Sequence, residues 1–194
     1  MNRLHALTDG VYAISMTLLV LELHVPEAHS SSELVAGLTA LAPSLFSFAL
    51  SFAVLGTYWV GNAVSLSFYT AVDRAALLLN VLQLFLISLL PFTTALLGRY
   101  PDEAAAVILY GLHLEAIGLA QYAHWVYVGR NPQLATAADP RAIRTARRRV
   151  FIGPVTFAIA MAIALFSARL GYALYFVALI TYITIAVRDR AVVR

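Results

Sequence analysis

The chain has 194 residues, of which 61% are hydrophobic and only 12% are charged, with a formal net charge of +3 and a mean hydropathy of +0.82. Soluble domains carry roughly 25% charged residues, so this composition excludes an ordinary soluble globule. There is no cysteine, which excludes a disulfide framework and a thiolate metal site.

The apolar runs predict an all-α integral membrane protein with six transmembrane helices in a single domain over residues 1–194. Several runs are close to the ~20 residues that cross ~30 Å of hydrocarbon at about 1.5 Å per residue. Pro43 predicts a kink, or a short separate helix, within the second run. The predicted helices cover 6–25, 34–63, 73–97, 102–128, 148–167 and 172–187.

The distribution of arginines supports this count. If both termini lie on one side of the membrane, only Arg99 and Arg169 of the 13 basic residues lie on the other side. Retained loops collect basic residues, so the N- and C-termini are predicted to be cytoplasmic. The basic segment Arg141–Arg149 is predicted to set the topology and to bind anionic lipids.

One face of the first helix carries a regular apolar stripe. At 100° per residue, Ile14, Thr17, Leu18, Leu21 and Val25 project from the same side. Most such stripes in membrane helices are packing surfaces. Several copies arranged around an axis would instead form a narrow tube of aliphatic rings with one ring of hydroxyls, and such a constriction can gate by dewetting.

Two charged residues near the start of this helix also need an explanation. Ionisable groups in or near a span are costly unless they are paired, so Arg3 and Asp9, together with Thr8, predict a polar network. Their spacing of six residues places Arg3 and Asp9 on different faces, which favours partners on other helices. The alternative is an interfacial arginine with an acidic residue in the first turns of the helix.

The segment RLHALTD at 3–9 resembles the R-x-x-x-F-S-D signature of the transmembrane protein 175 family of potassium channels, in its short prokaryotic branch. The likeness continues through the whole first helix, Tyr58-Trp59, the segment 72–74 and the segment 80–98. It therefore covers about the first hundred residues by motif, and the remainder by span count and topology.

The resemblance implies a potassium-selective channel in the plasma membrane of a prokaryote. It implies a homotetramer whose pore is lined by the first helix of each subunit, with no cofactor and no metal beyond the permeating K⁺. The resemblance places the pore constriction at Ile14, Leu18 and Leu21, and the selectivity layer at Thr17. These are four of the five positions on the apolar stripe.

The signature residues Arg3, Thr8 and Asp9 would then hold the first helix against its neighbours. Leu7 and Thr8 replace the Phe and Ser of the signature, and the histidines that usually follow Tyr-Trp in the family are absent. Asn62 is the available substitute in the predicted network. Glu22, near the far end of the first helix, is predicted to lie at the outer mouth.

Two other classes of function stay open from the sequence. A proton-coupled transporter would use Asp9, Glu22 or Glu115, because intramembrane carboxylates often carry protons. A membrane scaffold that conducts nothing is the third possibility. His113 and Glu115 are two residues apart and are not a ready pair. No metalloprotease or nucleophile motif is present, so no enzyme activity is expected. A nucleic-acid partner is not expected either.

Overall fold

A computed structural model describes residues 2–135, 144, 147, 148, 150 and 152–188. This part of the chain contains seven α-helices and two short 3₁₀ helices, Leu19–Glu22 and Pro132–Leu134. The α-helices are α1 Asn2–Leu18, α2 Ser31–Ala40, α3 Ala42–Ser67, α4 Arg74–Arg99, α5 Ala104–Arg130, α6 Ile152–Ala164 and α7 Ala168–Arg188.

Four helical segments within these ranges are long and apolar enough to cross a membrane: Arg3–Glu22, Ala42–Ser67, Arg74–Arg99 and Ala104–Arg130. Two shorter apolar segments, Gly153–Ala164 and Ala168–Thr181, follow them. The all-α prediction is confirmed for the described residues, whereas the count of six spans stays a prediction. The basic segment Arg141–Arg149 lies partly outside the described residues, which include its Arg144, Arg147 and Arg148.

The first helix differs in form from the predicted range 6–25. It begins at Asn2 and is α-helical only to Leu18, after which Leu19–Glu22 forms a 3₁₀ turn. Leu23 then leaves the helix with φ −88° and ψ 90°, and Pro26 biases the residue before it against helical geometry. A 3₁₀ helix has three residues per turn. Leu21 therefore lies almost directly beyond Leu18 along the axis.

The predicted second helix is divided into α2 and α3. Ser30 caps α2 by accepting a hydrogen bond of 3.2 Å from the Glu33 amide, and the Glu33 carboxylate accepts one of 2.8 Å from the His29 amide. Pro43 stands in the first turn of α3, where the absent N–H costs no hydrogen bond. None of the side chains of α2 is buried.

Helices α3 to α7 form a packed bundle with α1 on its side. α4 packs against α1, α3 and α5, and α6 packs against both α5 and α7. Gly111 allows close approach here, because a Cβ at this position would collide with the Tyr175 hydroxyl and the side chain of Met161. Interhelical hydrogen bonds also join the bundle, for example Ser51 to Tyr110 at 2.9 Å.

The outward faces of the bundle are apolar. On α4, the exposed side chains include Leu78, Phe85 and Phe92. Contiguous exposed apolar surface on this scale is unusual in a soluble monomer, and it is the surface that hydrocarbon chains would cover. Within the described residues, the fold is therefore that of a multi-pass membrane protein.

Candidate functional site: the two faces of the first helix

The two sides of α1 have opposite environments. One side packs against α3 and α4 and buries Thr8, Tyr12, Ser15 and Leu19, which follow one another at helical spacings of three and four. The other side stays exposed: Ile14 is 59% exposed, Leu18 40% and Leu21 66%. The predicted constriction residues thus lie on the face that the subunit itself leaves uncovered.

Thr17 lies on the same exposed face. Its hydroxyl donates a hydrogen bond of 2.9 Å to the carbonyl oxygen of Ile14, one turn earlier. Because the hydroxyl proton is engaged within the helix, the lone pairs of Oγ1 are left to face outward. An oxygen presented in this way can contact a cation but cannot donate to it. This is the chemistry that the predicted selectivity layer requires.

Two signature residues attach α1 to different helices. Thr8 Oγ1 accepts a hydrogen bond of 3.0 Å from Asn80 Nδ2 on α4, and Asp9 Oδ1 accepts one of 2.9 Å from Trp59 Nε1 on α3. Arg3 is exposed and has no ion-pair partner among the described residues. The structure therefore brings Thr8 and Asp9 to α4 and α3 respectively, and it does not bring Arg3 to either of them.

Asn62 belongs to a separate, buried hydrogen-bonded layer. Its Nδ2 donates to Gln83 Oε1 at 3.1 Å, and Gln83 Nε2 lies 3.1 Å from the Tyr12 hydroxyl and 2.7 Å from Gln121 Oε1. All four side chains are almost completely buried. Gln83 thus joins α1, α3 and α5 to α4. We call Tyr12, Asn62, Gln83 and Gln121 the central polar layer.

Sequence reasoning missed the central role of Gln83 in this layer. The signal was available, since a glutamine inside an apolar span must find partners within the protein. What the sequence lacks is the identity of those partners, because Gln83 is more than 20 residues distant from each of them along the chain. One helical turn away, Thr8, Ser65, Asn80 and His124 form a second set of buried polar side chains, one from each of the same four helices.

The remaining polar residues of the spans lie apart from α1. His113 Nδ1 is 2.8 Å from Thr93 Oγ1, and its Nε2 is 2.9 Å from the carbonyl oxygen of Leu86. Glu115 is half-buried, and its Oε2 has no hydrogen-bond partner in the described part of the chain. His113 and Glu115 do not pair with each other, as their spacing predicts. Glu22 is exposed at the end of the 3₁₀ turn.

Two carboxylates outside the spans stabilise helix ends. Asp73 caps α4: Oδ1 accepts from the Ala76 amide at 2.9 Å and Oδ2 accepts from the Tyr127 hydroxyl at 2.6 Å, and these hydrogen bonds lower the pKa of Asp73. Hydrogen bonds from Arg169 at 2.5 and 3.0 Å likewise lower the pKa of Asp102. Arg169, one of the two arginines on the predicted minority side, therefore joins the start of α7 to the turn between α4 and α5.

No group of three or more His, Cys, Asp or Glu side chains that could hold a metal occurs among the described residues. The site therefore consists of one exposed aliphatic face with the hydroxyl of Thr17, and hydrogen bonds elsewhere on α1 join the helix to α3 and α4. Such a face can bind another copy of itself, a lipid or a partially hydrated ion. It carries no arrangement of nucleophile and base.

Comparison with known proteins identifies the family. The family model of the endosomal/lysosomal potassium channel TMEM175 matches residues 3–91. A potassium channel from Streptomyces collinus is 36% identical over 180 residues, which cover 89% of this chain and 86% of that protein. The human endosomal/lysosomal proton channel TMEM175 is 33% identical over 136 residues, which cover 64% of this chain but only 27% of the human protein.

The fold also matches a solved structure. The crystal structure of a lysosomal potassium-selective channel TMEM175 homolog from Chamaesiphon minutus superposes with a TM-score of 0.85 at 30% identity, covering 98% of each chain. The resemblance in the segment 3–9 is thus confirmed by family, relative and fold together. The chain belongs to the TMEM175 potassium channel family, a family of membrane ion channels and not of enzymes.

Proposed function

We propose that this chain is the subunit of a homotetrameric, potassium-selective channel whose pore is lined by α1. The observation that carries the proposal is the division of α1 into a buried polar face and an exposed aliphatic face. A helix that is tied down on one side and uncovered on the other is suited to form a ring with copies of itself. The names of the bacterial relative and of the matched crystal structure favour K⁺ as the permeant ion.

In such a tetramer, four copies of Ile14, Leu18 and Leu21 would form successive aliphatic rings. Because Leu19–Glu22 is a 3₁₀ turn, the rings of Leu18 and Leu21 would stack along the axis rather than rotate apart. A narrow apolar tube of this kind closes to water and ions when its radius falls. K⁺ would pass only when the rings widen enough to admit a partly hydrated ion.

Thr17 would supply an oxygen ring between the aliphatic rings. Its lone pairs can replace part of the hydration shell of K⁺, because its proton is engaged with Ile14. Glu22, exposed beyond the last ring, would raise the local concentration of cations at the outer mouth. The signature residues Thr8 and Asp9 would act outside the pore, because their hydrogen bonds to Asn80 and Trp59 fix the position of α1.

The same proposal includes the topology. Six spans with both termini in the cytoplasm leave only Arg99 and Arg169 outside. The four long apolar helices and the two shorter ones agree in number with six spans. We place the channel in the plasma membrane of a prokaryote.

Ion flux through the purified protein in liposomes tests the proposal. Opposing K⁺ and Na⁺ gradients should give a K⁺-biased flux, and Leu18→Ala should raise it by widening one ring. Leu78→Ala is the matched control, since Leu78 is equally aliphatic and is exposed on α4 instead of α1. Equal effects of the two substitutions, or no flux from well-folded oligomers, would exclude α1 as the pore helix.

Proton movement is the second candidate function, favoured by two observations. The human relative is named a proton channel, and Glu115 has a buried carboxylate oxygen without a hydrogen-bond partner among the described residues. A proton pathway, or a proton-coupled transporter, would use Asp9, Glu22 or Glu115. If Glu115→Gln abolishes a proton flux and leaves K⁺ flux unchanged, the two activities are separate. Loss of saturable solute uptake in the same variant would favour the transporter.

A further inference from the structure

A partly enclosed crevice opens on the side of the bundle away from α1, between α3, α5, α6 and α7. Its lining includes Val54, Gly61, Gly118, Gly153 and Phe157. Two of these glycines leave room: a Cβ at Gly61 would meet no atom within 4 Å, and one at Gly153 would come no closer than 3.7 Å, to the ring of Phe157. At Gly118 the side chain of Pro154 is close, since a Cβ there would lie 3.2 Å from it.

The crevice is apolar although several of its lining residues carry hydroxyl groups. Thr57 donates to the Val54 carbonyl at 2.8 Å, Tyr58 to the Leu114 carbonyl at 2.9 Å, and Thr156 to the Gly153 carbonyl at 2.8 Å. Each hydroxyl is thus engaged with the backbone, and the surface of the crevice is dominated by methyl, methylene and ring carbons. Hydrocarbon is the ligand that such a surface accommodates without losing hydrogen bonds.

Arginines precede one of the crevice residues in the sequence. Val150 lines the crevice and is helical, as are Arg147 and Arg148. Arg147 lies three residues before Val150, a spacing that places two residues on the same face of a continuous helix, and Arg147 is partly exposed. The apolar lining suits an acyl chain, and a guanidinium binds a phosphate group with parallel hydrogen bonds.

We infer that this crevice is a binding site for an anionic phospholipid, with one acyl chain between α3 and α6 and the phosphate beside Arg147. The inference uses the membrane orientation included in the proposed function, in which Arg147 faces the leaflet rich in anionic lipid. It does not depend on which ion the protein conducts. The site is separate from the exposed face of α1, since no residue of α1 lines the crevice, although Gln121 of the central polar layer does.

Native mass spectrometry of the full-length protein tests this site, since it reports bound lipid and oligomeric state together. Phosphatidylglycerol should bind at least about fivefold more tightly than phosphatidylcholine, the effect of roughly one basic residue at a membrane surface. Arg147→Gln should remove that preference. Arg74→Gln is the matched control, because Arg74 is exposed at the start of α4, which does not line the crevice, and it should retain the preference.

Gly61→Leu should fill the crevice and weaken both lipids by about tenfold, since it displaces two or more methylene groups of the chain. Ala158→Leu, an exposed position on α6 outside the lining, should bind as the unmodified protein does. If Gly61→Leu yields no folded protein, Gly61→Ala carries the test with a smaller loss of about threefold.

The inference is overturned if the unmodified protein binds the two lipids equally, or if Gly61→Leu and Gly61→Ala bind as the unmodified protein does. It is also overturned if Gly61→Leu dissociates the oligomer, because the crevice would then be occupied by a second copy of the chain. Flux measured in parallel in phosphatidylcholine vesicles separates this result from the proposed function. Absence of K⁺ flux with intact lipid binding would count against the channel and not against the crevice.

Discussion

The two faces of α1 should respond differently to substitution. The buried face depends on specific partners: Thr8 and Tyr12 each bond to one atom on a neighbouring helix. The exposed Asp9 adds a bond to Trp59 on α3. The exposed face, with Ile14, Leu18 and Leu21, makes no such bonds. Substitutions on the first face should therefore change folding, while substitutions on the second should change transport with little effect on the stability of the subunit. This difference can be tested one residue at a time.

The largest effect on stability is expected at Gln83, the residue of α4 that bonds to Tyr12 on the buried face of α1. Gln83→Leu should destabilise the protein by about 2–4 kcal/mol, because it leaves the Tyr12 hydroxyl, Asn62 Nδ2 and Gln121 Oε1 buried without their partner. Thermal unfolding in detergent measures this change. Gln133→Leu, at an exposed position, serves as the control. An unchanged melting temperature in Gln83→Leu would mean that the central polar layer does not hold α1.

The largest effect on transport is expected at the first ring. Ile14→Asn should raise ion flux and allow leak in the closed state, because an amide keeps the constriction wet. The stability should stay within about 0.5 kcal/mol, as for other exposed positions. Liposome flux and thermal unfolding on the same preparation give both values. Ile159→Asn, on an exposed site of α6, should leave flux unchanged, and the comparison fails if both variants leak equally.

A smaller effect is expected when only one atom of each subunit changes. Thr17→Val keeps the shape of the side chain but removes the oxygen, so the preference for K⁺ over Na⁺ should fall by about fivefold, which corresponds to about 1 kcal/mol from the four hydroxyls together. Thr39→Val is the matched control on α2, where the hydroxyl likewise donates to the backbone. Reversal potentials in mixed gradients measure the ratio. An unaltered ratio would move the selectivity layer away from Thr17.

The smallest effect is expected at a helix end outside both faces. The lowered pKa of Asp73 means that its contribution to stability is present above the ordinary value of about 3.9 and is lost as the pH falls through the folded pKa. Asp73→Asn can still cap α4 but cannot titrate. Acidification from about pH 5 to pH 3 should therefore lower the melting temperature less in this variant than in the unmodified protein. Equal decreases of the melting temperature in the two proteins would mean that other carboxylates cause the acid sensitivity.

The exposed face of α1 could be predicted from the sequence more fully than the buried face. The exposed stripe follows from spacing alone, since Ile14, Thr17 and Leu18 share a face in any helix. The buried face could be read only as polar residues in need of partners. The prediction that Asn62 would complete a network with Arg3 is not what the structure displays, because Asn62 bonds to Gln83 and Arg3 is exposed. An amide has several possible partners in a bundle, and packing selects among them.

The sequence by itself determined that this is an all-α membrane protein, that it resembles one channel family, and that one aliphatic stripe runs along its first helix. The first and the last of these follow from composition and local periodicity, and the resemblance follows from the motif at residues 3–9; no distant residue can alter any of them. The tertiary structure decided that the stripe is left exposed, that Leu18 and Leu21 align through a 3₁₀ turn, and that Gln83 joins four helices. These depend on contacts between residues far apart in the chain, and only the packed bundle specifies them.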